Sequence, residues 1–380
     1  MQWIWEQADW PSFKWQDPEL LPRLMNMKFK LGWLHGSCEV SGDSQQALDV
    51  LLANLLASAA IEDERLNAKS VRSSLAKRLG VSEGQPYPVS ERSEGLAEML
   101  FDALGGDGME RPLTVARLCH WHRCLFEHET PLVGRKIEPG VLRGPDVMQV
   151  VSGRIDRPVV HFEAPGREGL EQQLETFVAW FNDSQRDLSV DPLVRAGIAH
   201  LWFVTLHPFE DGNGRITRMI TDMALAQADR QSIRLYAMSV AILERREGYY
   251  NALQAAQRDG MDVTAWLAWF LDTLLAALDN AQNSVSRTLA KTRFWLRHQQ
   301  QDLRPEQVKV LNRLLDGGEK GFEGGISASQ YQAVTSTSKA TATRHLSELV
   351  ERGCLVQGEG KGRSARYVIH NPWGEVSILD

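Results

Sequence analysis

The segment His207-Pro-Phe-Glu-Asp-Gly-Asn-Gly-Arg-Ile-Thr-Arg218 constrains this chain more than any other, because it must join two helices through a loop suited to an anion. Gly212, Asn213 and Gly214 precede a predicted helix, Arg215–Ala228, whose first N–H groups and dipole attract negative charge. The glycines let the backbone approach a phosphate and adopt positive φ. Arg215 and Arg218, three residues apart, would project from one side of the first turn as two guanidinium clamps. Asp211 is a hard oxygen ligand of the kind that Mg²⁺ uses together with substrate phosphates. His207 is the side chain there that can take a proton near neutral pH. Together they describe phosphoryl or nucleotidyl transfer to a hydroxyl, with His207 as base.

The flanking sequence is mostly helical. Ala47, Leu48, Leu51, Leu52, Leu55, Leu56 and Ala59 form an apolar stripe, with Asp43 or Ser44 as its cap. Helices are also expected at 69–79, closed by Gly80, at 113–129 and at 168–182. Asp191 and Pro192 start another that runs to about Leu206, and further helices are expected at 242–257 and 263–283. Between Gly134 and Pro165, glycines and prolines punctuate the β-branched runs Val147–Val151 and Val159–Phe162, the pattern of a hairpin. Residues 1–40 show no clear helical period; their aromatics, with Pro11 and Pro22, predict short strands, turns and at most one helix. Trp3, Trp5, Trp10, Trp15 and Trp33, five of 12 tryptophans, are expected to pack a small N-terminal α/β subdomain.

Length and composition exclude several classes. A chain of 380 residues exceeds what one hydrophobic core usually holds. A net charge of −7 excludes a polycation built to coat nucleic acid, although a local basic patch stays open. Four cysteines are too sparse for a disulfide framework. No run approaches about 18 apolar residues, and the N-terminus lacks a basic-then-apolar signal, so a cytoplasmic protein with no membrane partner is expected.

The 207–215 segment closely resembles the signature of Fic-domain proteins, His-Pro-Phe-x-(Asp/Glu)-Gly-Asn-Gly-Arg, and matches it at every fixed position. The resemblance implies that His207 deprotonates a target hydroxyl and that Phe209 anchors the loop. It implies further that Asp211 binds Mg²⁺, that Gly212, Asn213 and Gly214 cradle phosphates, and that Arg215 and Arg218 hold the β- and γ-phosphates of ATP. The implied reaction transfers AMP from ATP to a Ser, Thr or Tyr hydroxyl of a target protein, or of the chain itself. Ser58-Ala-Ala-Ile-Glu62-Asp63 resembles the family's inhibitory pattern, (Ser/Thr)-x-x-x-Glu-(Gly/Asn), in its N-terminally inhibited class. A Glu62 carboxylate paired with Arg218 would occupy the guanidinium meant for the γ-phosphate, while Asp63 departs from the pattern. Tyr249 and Tyr250 would join either the nucleotide pocket or the core.

Two weaker signals remain. Cys119, His122 and His128 would share one helix edge, but no second ligand pair accompanies them for zinc; Leu118, His122, Leu125 and Phe126 instead resemble a helix of the Fic core. From Glu306 the chain resembles a winged helix-turn-helix, with Ser338–Glu351 as recognition helix carrying Lys339, Thr341, Thr343 and Arg344, and Lys361, Arg363 and Arg366 on the wing. Such a module contacts DNA or a protein. The expected organisation is mainly α: 1–85 with the inhibitory helix, a Fic core with a β-hairpin flap at 86–285, a linker helix at 286–304 and a winged helix at 305–380. Removal of AMP, transfer of another phosphate-containing group, and nucleotide sensing by a DNA-binding regulator stay open, as does a homodimer.

Overall fold

A computed structural model describes residues 2–38, 44–127, 137–154, 157–231, 235–258, 260–317, 322, 324–358 and 365–370. The chain packs as two units, Met1–Ala281 and Gln282–Asp380.

The first unit opens with a 3-10 turn at Ile4–Glu6 and α1 (Asp17–Cys38). This corrects the expected α/β subdomain: among the described residues of 1–85 there is no strand beyond a single bridge of Lys14 with Asp262. Leu20, Leu24, Met27 and Leu34 are buried at helical spacing, a stripe that Pro18, Pro22 and the polar residues between them obscure in the sequence. The tryptophans do not close a subdomain of their own either. Trp3 packs edge-on to Phe162 at 5.3 Å, and Trp10 and Phe13 contact Trp202. The Trp5 indole donates to the Glu163 carbonyl at 2.7 Å. Aromatic contacts thus tie the N-terminal segment to elements far along the chain.

Next come α2 (Ser44–Ile61) and α3 (Ala68–Leu79), the latter capped by the Asn67 side chain and ended by Gly80 at φ 68°. Two helices follow, α4 (Glu91–Leu104), which the sequence reading had not singled out, and α5 (Val115–Phe126), with Ser90 and Thr114 as their caps. The hairpin pairs β1 (Gln149–Arg154) antiparallel to β2 (Arg157–Glu163), with Val150 opposite Phe162 and a bulge at Val150/Val151. After α6 (Leu170–Asp183), α7 (Pro192–Leu206) begins at an Asp191 cap and a first-turn proline. From Leu193 to Leu206 every residue of α7 is buried, so it fills the centre of the unit. It packs on α8 (Asn213–Asp229). The expected helix at 242–257 is instead two, α9 (Met238–Glu244) and α10 (Arg246–Ala256), because Arg245 leaves helical geometry at φ −120°, ψ 28°. The chain then forms α11 (Thr264–His298), which runs without a break through the expected end near 283.

In the second unit, Phe294 of α11 joins a core of Val310, Leu311, Tyr331, Leu346, Leu349, Leu355 and Ile369. That core is enclosed by α12 (Pro305–Asp316), α13 (Ala328–Thr335), α14 (Lys339–Glu351) and an antiparallel pair, β3 (Leu355–Gln357) with β4 (Tyr367–Ile369). Ser338 caps α14, and Lys339, Thr343 and Arg344 are exposed on it, with Thr341 half-buried. Arg366 is turned back onto the Gly325 carbonyl at 3.0 Å, while Lys361 and Arg363 lie outside the described residues.

Candidate active site

The anion loop is the junction between α7 and α8, and buried groups hold it in shape. His207 ends α7 in left-handed geometry, φ 48°. Arg143, itself fully buried, donates to the His207 carbonyl at 2.8 Å, and Glu210 accepts the Gly144 N–H at 2.9 Å. Phe209 is buried, as the resemblance implied, and stacks on His122 at 4.3 Å. The Asn213 side chain accepts the Phe209 N–H at 3.0 Å and donates to its carbonyl at 2.8 Å, so it staples the loop and only its backbone is left to face a ligand. Gly212 stands before α8 at φ 78°, against the Phe126 ring, where a Cβ would clash. The first i→i−4 bond of the helix is Ile216 N–H to the Gly212 carbonyl, 3.0 Å. The N–H groups of Asn213, Gly214 and Arg215 precede it and have no intrahelical acceptor, as an oxyanion site requires.

His207 is set up as a base. Its Nδ1 lies 3.1 Å from the Val204 carbonyl, which can only accept, so Nδ1 carries the proton and Nε2 keeps its lone pair. Burial, with Arg143 adding repulsion, pushes its pKa below the ordinary 6.5, which keeps the ring neutral. His207, Glu62, Gly214, Tyr249, Tyr250 and the hairpin residues Val150 and Phe162 line one cavity of about 460 Å³. Tyr249 also belongs to the core: its hydroxyl pairs with His200 Nε2 at 2.9 Å. Asp211 is half-exposed (54 %) and accepts the Gly212 N–H through one oxygen, leaving a carboxylate edge suited to a hard cation such as Mg²⁺.

Ser58, in the last turn of α2, and Glu62, just past its end, both contact Arg218. Arg218 is 2 % exposed and donates from Nε to Ser58 Oγ and from Nη2 to the Ser58 carbonyl, both at 2.8 Å. Its Nη2 also pairs with Glu62 Oε1 at 2.9 Å. Burial works against the Arg218 charge, but the Glu62 carboxylate, with Tyr249 and Tyr250 beside it, raises the pKa on balance. A Cβ on Gly214 would sit 2.0 Å from Glu62 Oε1. The carboxylate is therefore seated on the first turn of α8, the place an anionic ligand would take. Asp63 meets the demand of its turn as Gly or Asn would, with φ 59°, and adds two hydrogen bonds to Arg246 at 2.7 and 2.6 Å.

Sequence reading missed Glu64. Its Oε2 pairs with Arg215 Nη1 at 2.6 Å and its Oε1 with Arg92, so the second clamp guanidinium is also held by a carboxylate. Arg215 is 8 % exposed and also lies over the Phe126 ring at 4.9 Å. Cys119 and His122 do not come together in a metal-ligating group among the described residues; His122 Nδ1 accepts the Gly140 N–H at 2.8 Å, and His128 lies outside the described residues.

Comparison with known proteins matches the segment that holds this loop. The Fic/DOC family model matches residues 112–225, and the Domain of unknown function (DUF4172) model matches residues 3–81. The protein adenylyltransferase fic-1 of Caenorhabditis elegans is 34% identical over 110 residues, 28% of this chain and 20% of that protein. The protein adenylyltransferase Fic of Drosophila melanogaster is 25% identical over 260 residues, 68% of this chain and 47% of that protein. The chain thus spans less than half the length of these relatives. A Fic family protein from Desulfovibrio desulfuricans G20, of known crystal structure, shares the fold with a TM-score of 0.52 at 18% identity, covering 92% of this chain and 96% of its own. Through residues 112–225 and the motif they contain, the chain carries a domain of the Fic/DOC family.

Proposed function

We propose that this chain is a protein adenylyltransferase held in check by its own Glu62. The observation that carries the reading is the Glu62 carboxylate seated on Gly214 and paired with Arg218, beside a histidine whose Nε2 keeps its lone pair. His207 Nε2 takes the proton of a Ser, Thr or Tyr hydroxyl as its oxygen attacks the α-phosphorus of ATP. The bond from that phosphorus to the bridging oxygen breaks, and pyrophosphate leaves. Gly212, Gly214 and the N–H groups of the α8 first turn orient the phosphates, and Arg215 and Arg218 hold their outer oxygens. Asp211 would hold Mg²⁺, which supplies charge neutralisation on the phosphates when bound.

Incubation of purified protein with ATP and Mg²⁺, followed by intact-mass spectrometry with and without a cell lysate, tests this. An AMP adduct is expected to grow at least about tenfold faster in Glu62→Gly, a gain of about 1.4 kcal/mol. His207→Ala is expected to lose about 10²–10⁴-fold. Equal rates in wild type and Glu62→Gly remove the brake, and an adduct that survives His207→Ala removes the base. A preformed AMP-protein that wild type clears faster than Glu62→Gly would turn the reading toward AMP removal. Adducts from other nucleotides but not ATP would turn it toward another phosphate-containing group.

The proposal places the enzyme in the cytoplasm and reads the second unit as a winged helix that positions a target or DNA. Exposed Lys339, Thr343 and Arg344 at the start of α14 support a nucleic-acid face. A gel shift with duplex DNA that weakens as salt rises supports DNA contact, and no shift at low salt favours protein docking.

A further inference from the structure

Away from the anion loop, α4 and α5 bring together three side chains with one chemistry in common. His120 and Cys124 are four residues apart and share a face of α5, and Glu98 reaches them from α4. His120 Nε2 is 3.3 Å from Glu98 Oε1 and 3.6 Å from Cys124 Sγ, and all three atoms lie within 4.8 Å of one another. A tetrahedral ion bound at about 2.1 Å by nitrogen and oxygen and about 2.3 Å by sulfur separates nitrogen from oxygen by about 3.4 Å and nitrogen from sulfur by about 3.6 Å. The two measured separations are those of such a site. Arg78 approaches Glu98 only at the other oxygen, Oε2, at 3.8 Å.

We propose that Glu98, His120 and Cys124 bind a divalent ion of the zinc type. A thiolate and an imidazole select a borderline ion and disfavour Mg²⁺ or Ca²⁺, which prefer all-oxygen sites. The three ligands leave one tetrahedral position free, and beside them is a cavity of about 270 Å³ that Glu91, Glu94 and Glu127 also line. Water or an exchangeable ligand takes that position. On binding, the Cys124 thiol releases its proton to solvent and the thiolate sulfur bonds the metal. The ion ties α4 to α5 one half-turn before Phe126, whose ring packs on Gly212 and beneath the Arg215 guanidinium. It would brace the floor of the anion loop without entering it.

Cobalt titration of the full chain, freed of metal by a chelator, tests the site. Wild type is expected to bind one Co²⁺ with tetrahedral d–d bands and a thiolate-to-cobalt charge-transfer band. Cys124→Ser is expected to lose the charge-transfer band, and His120→Ala and Glu98→Gln to bind at least about tenfold more weakly. Cys119→Ser and Cys354→Ser are expected to keep it. No charge-transfer band in wild type, or one that survives Cys124→Ser, overturns the proposal. Should Cys124→Ser fail to fold, alkylation of wild type decides: Zn²⁺ is expected to protect Cys124 from iodoacetamide at least about tenfold, and equal labelling with and without Zn²⁺ overturns the site.

Discussion

Single side chains set the working range of the candidate active site. Because burial holds the His207 pKa below 6.5, the ring stays a base into mildly acidic solution. The acid limb of kcat/KM for AMP transfer is therefore expected below pH 6.5, with activity lost as pH falls through the lowered value; a limb above 6.5 would mean that another group titrates. Glu64 makes a second expectation. Its carboxylate neutralises Arg215 at 2.6 Å, and Glu64→Gln keeps the side-chain volume while removing the charge. In a Glu62→Gly background this change is expected to lower KM for ATP by about threefold or more, with kcat little altered. A raised KM would make Glu64 a residue that positions Arg215. Nothing in the local sequence marks Glu64, because its partners Arg92 and Arg215 are 28 and 151 residues away. Glu62 and Ser58 were legible only because their spacing repeats a family pattern.

In the proposed function, α2 is the helix that delivers control of the site. Asn54, one turn before Ser58, donates to Asp222 of α8 at 2.7 Å and accepts the Ser239 N–H of α9 at 2.9 Å. Asn54→Ala is expected to cost about 1–3 kcal/mol in urea unfolding, since it strips partners from buried polar groups. It is also expected to raise basal AMP transfer, because the same contacts hold Glu62 in place; unchanged transfer at lowered stability would separate the two roles. Helices α7 and α8 could be read from sequence because a cap, a first-turn proline and a glycine-ended loop bound them. The α1 helix could not, since its prolines and the tryptophans that precede it mimic an irregular segment and its apolar face is completed only by packing. The break at Arg245 and the meeting of α4 with α5 are likewise tertiary, and with the latter goes the Glu98, His120 and Cys124 cluster.

At the scale of the whole molecule, the first unit hides a histidine that acid must eventually charge. His200 is buried between Thr221 and Tyr249, and burial pushes its pKa down to about 3. An unfolded histidine takes a proton near pH 6.5, so below that pH the unfolded chain binds more protons and stability falls with acid. The Tm of the first unit is expected to drop steadily from pH 6.5 towards pH 4, and His200→Gln to flatten that slope; an unchanged slope would assign the acid sensitivity elsewhere.

The missing side chain at position 214 has one more consequence. In the proposed function, the opening that would admit a phosphate oxygen to the first turn of α8 is the one that the Glu62 carboxylate occupies. A competitor tethered to its own binding place acts at an effective concentration of order millimolar, whatever the dilution of the protein. Nucleotide can dock by its other groups, but correct seating of its terminal phosphate becomes a contest against a fixed opponent. The enzyme would then answer to a threshold: idle until nucleotide supply, or a partner that draws α2 aside, outweighs a ligand it can never lose by diffusion.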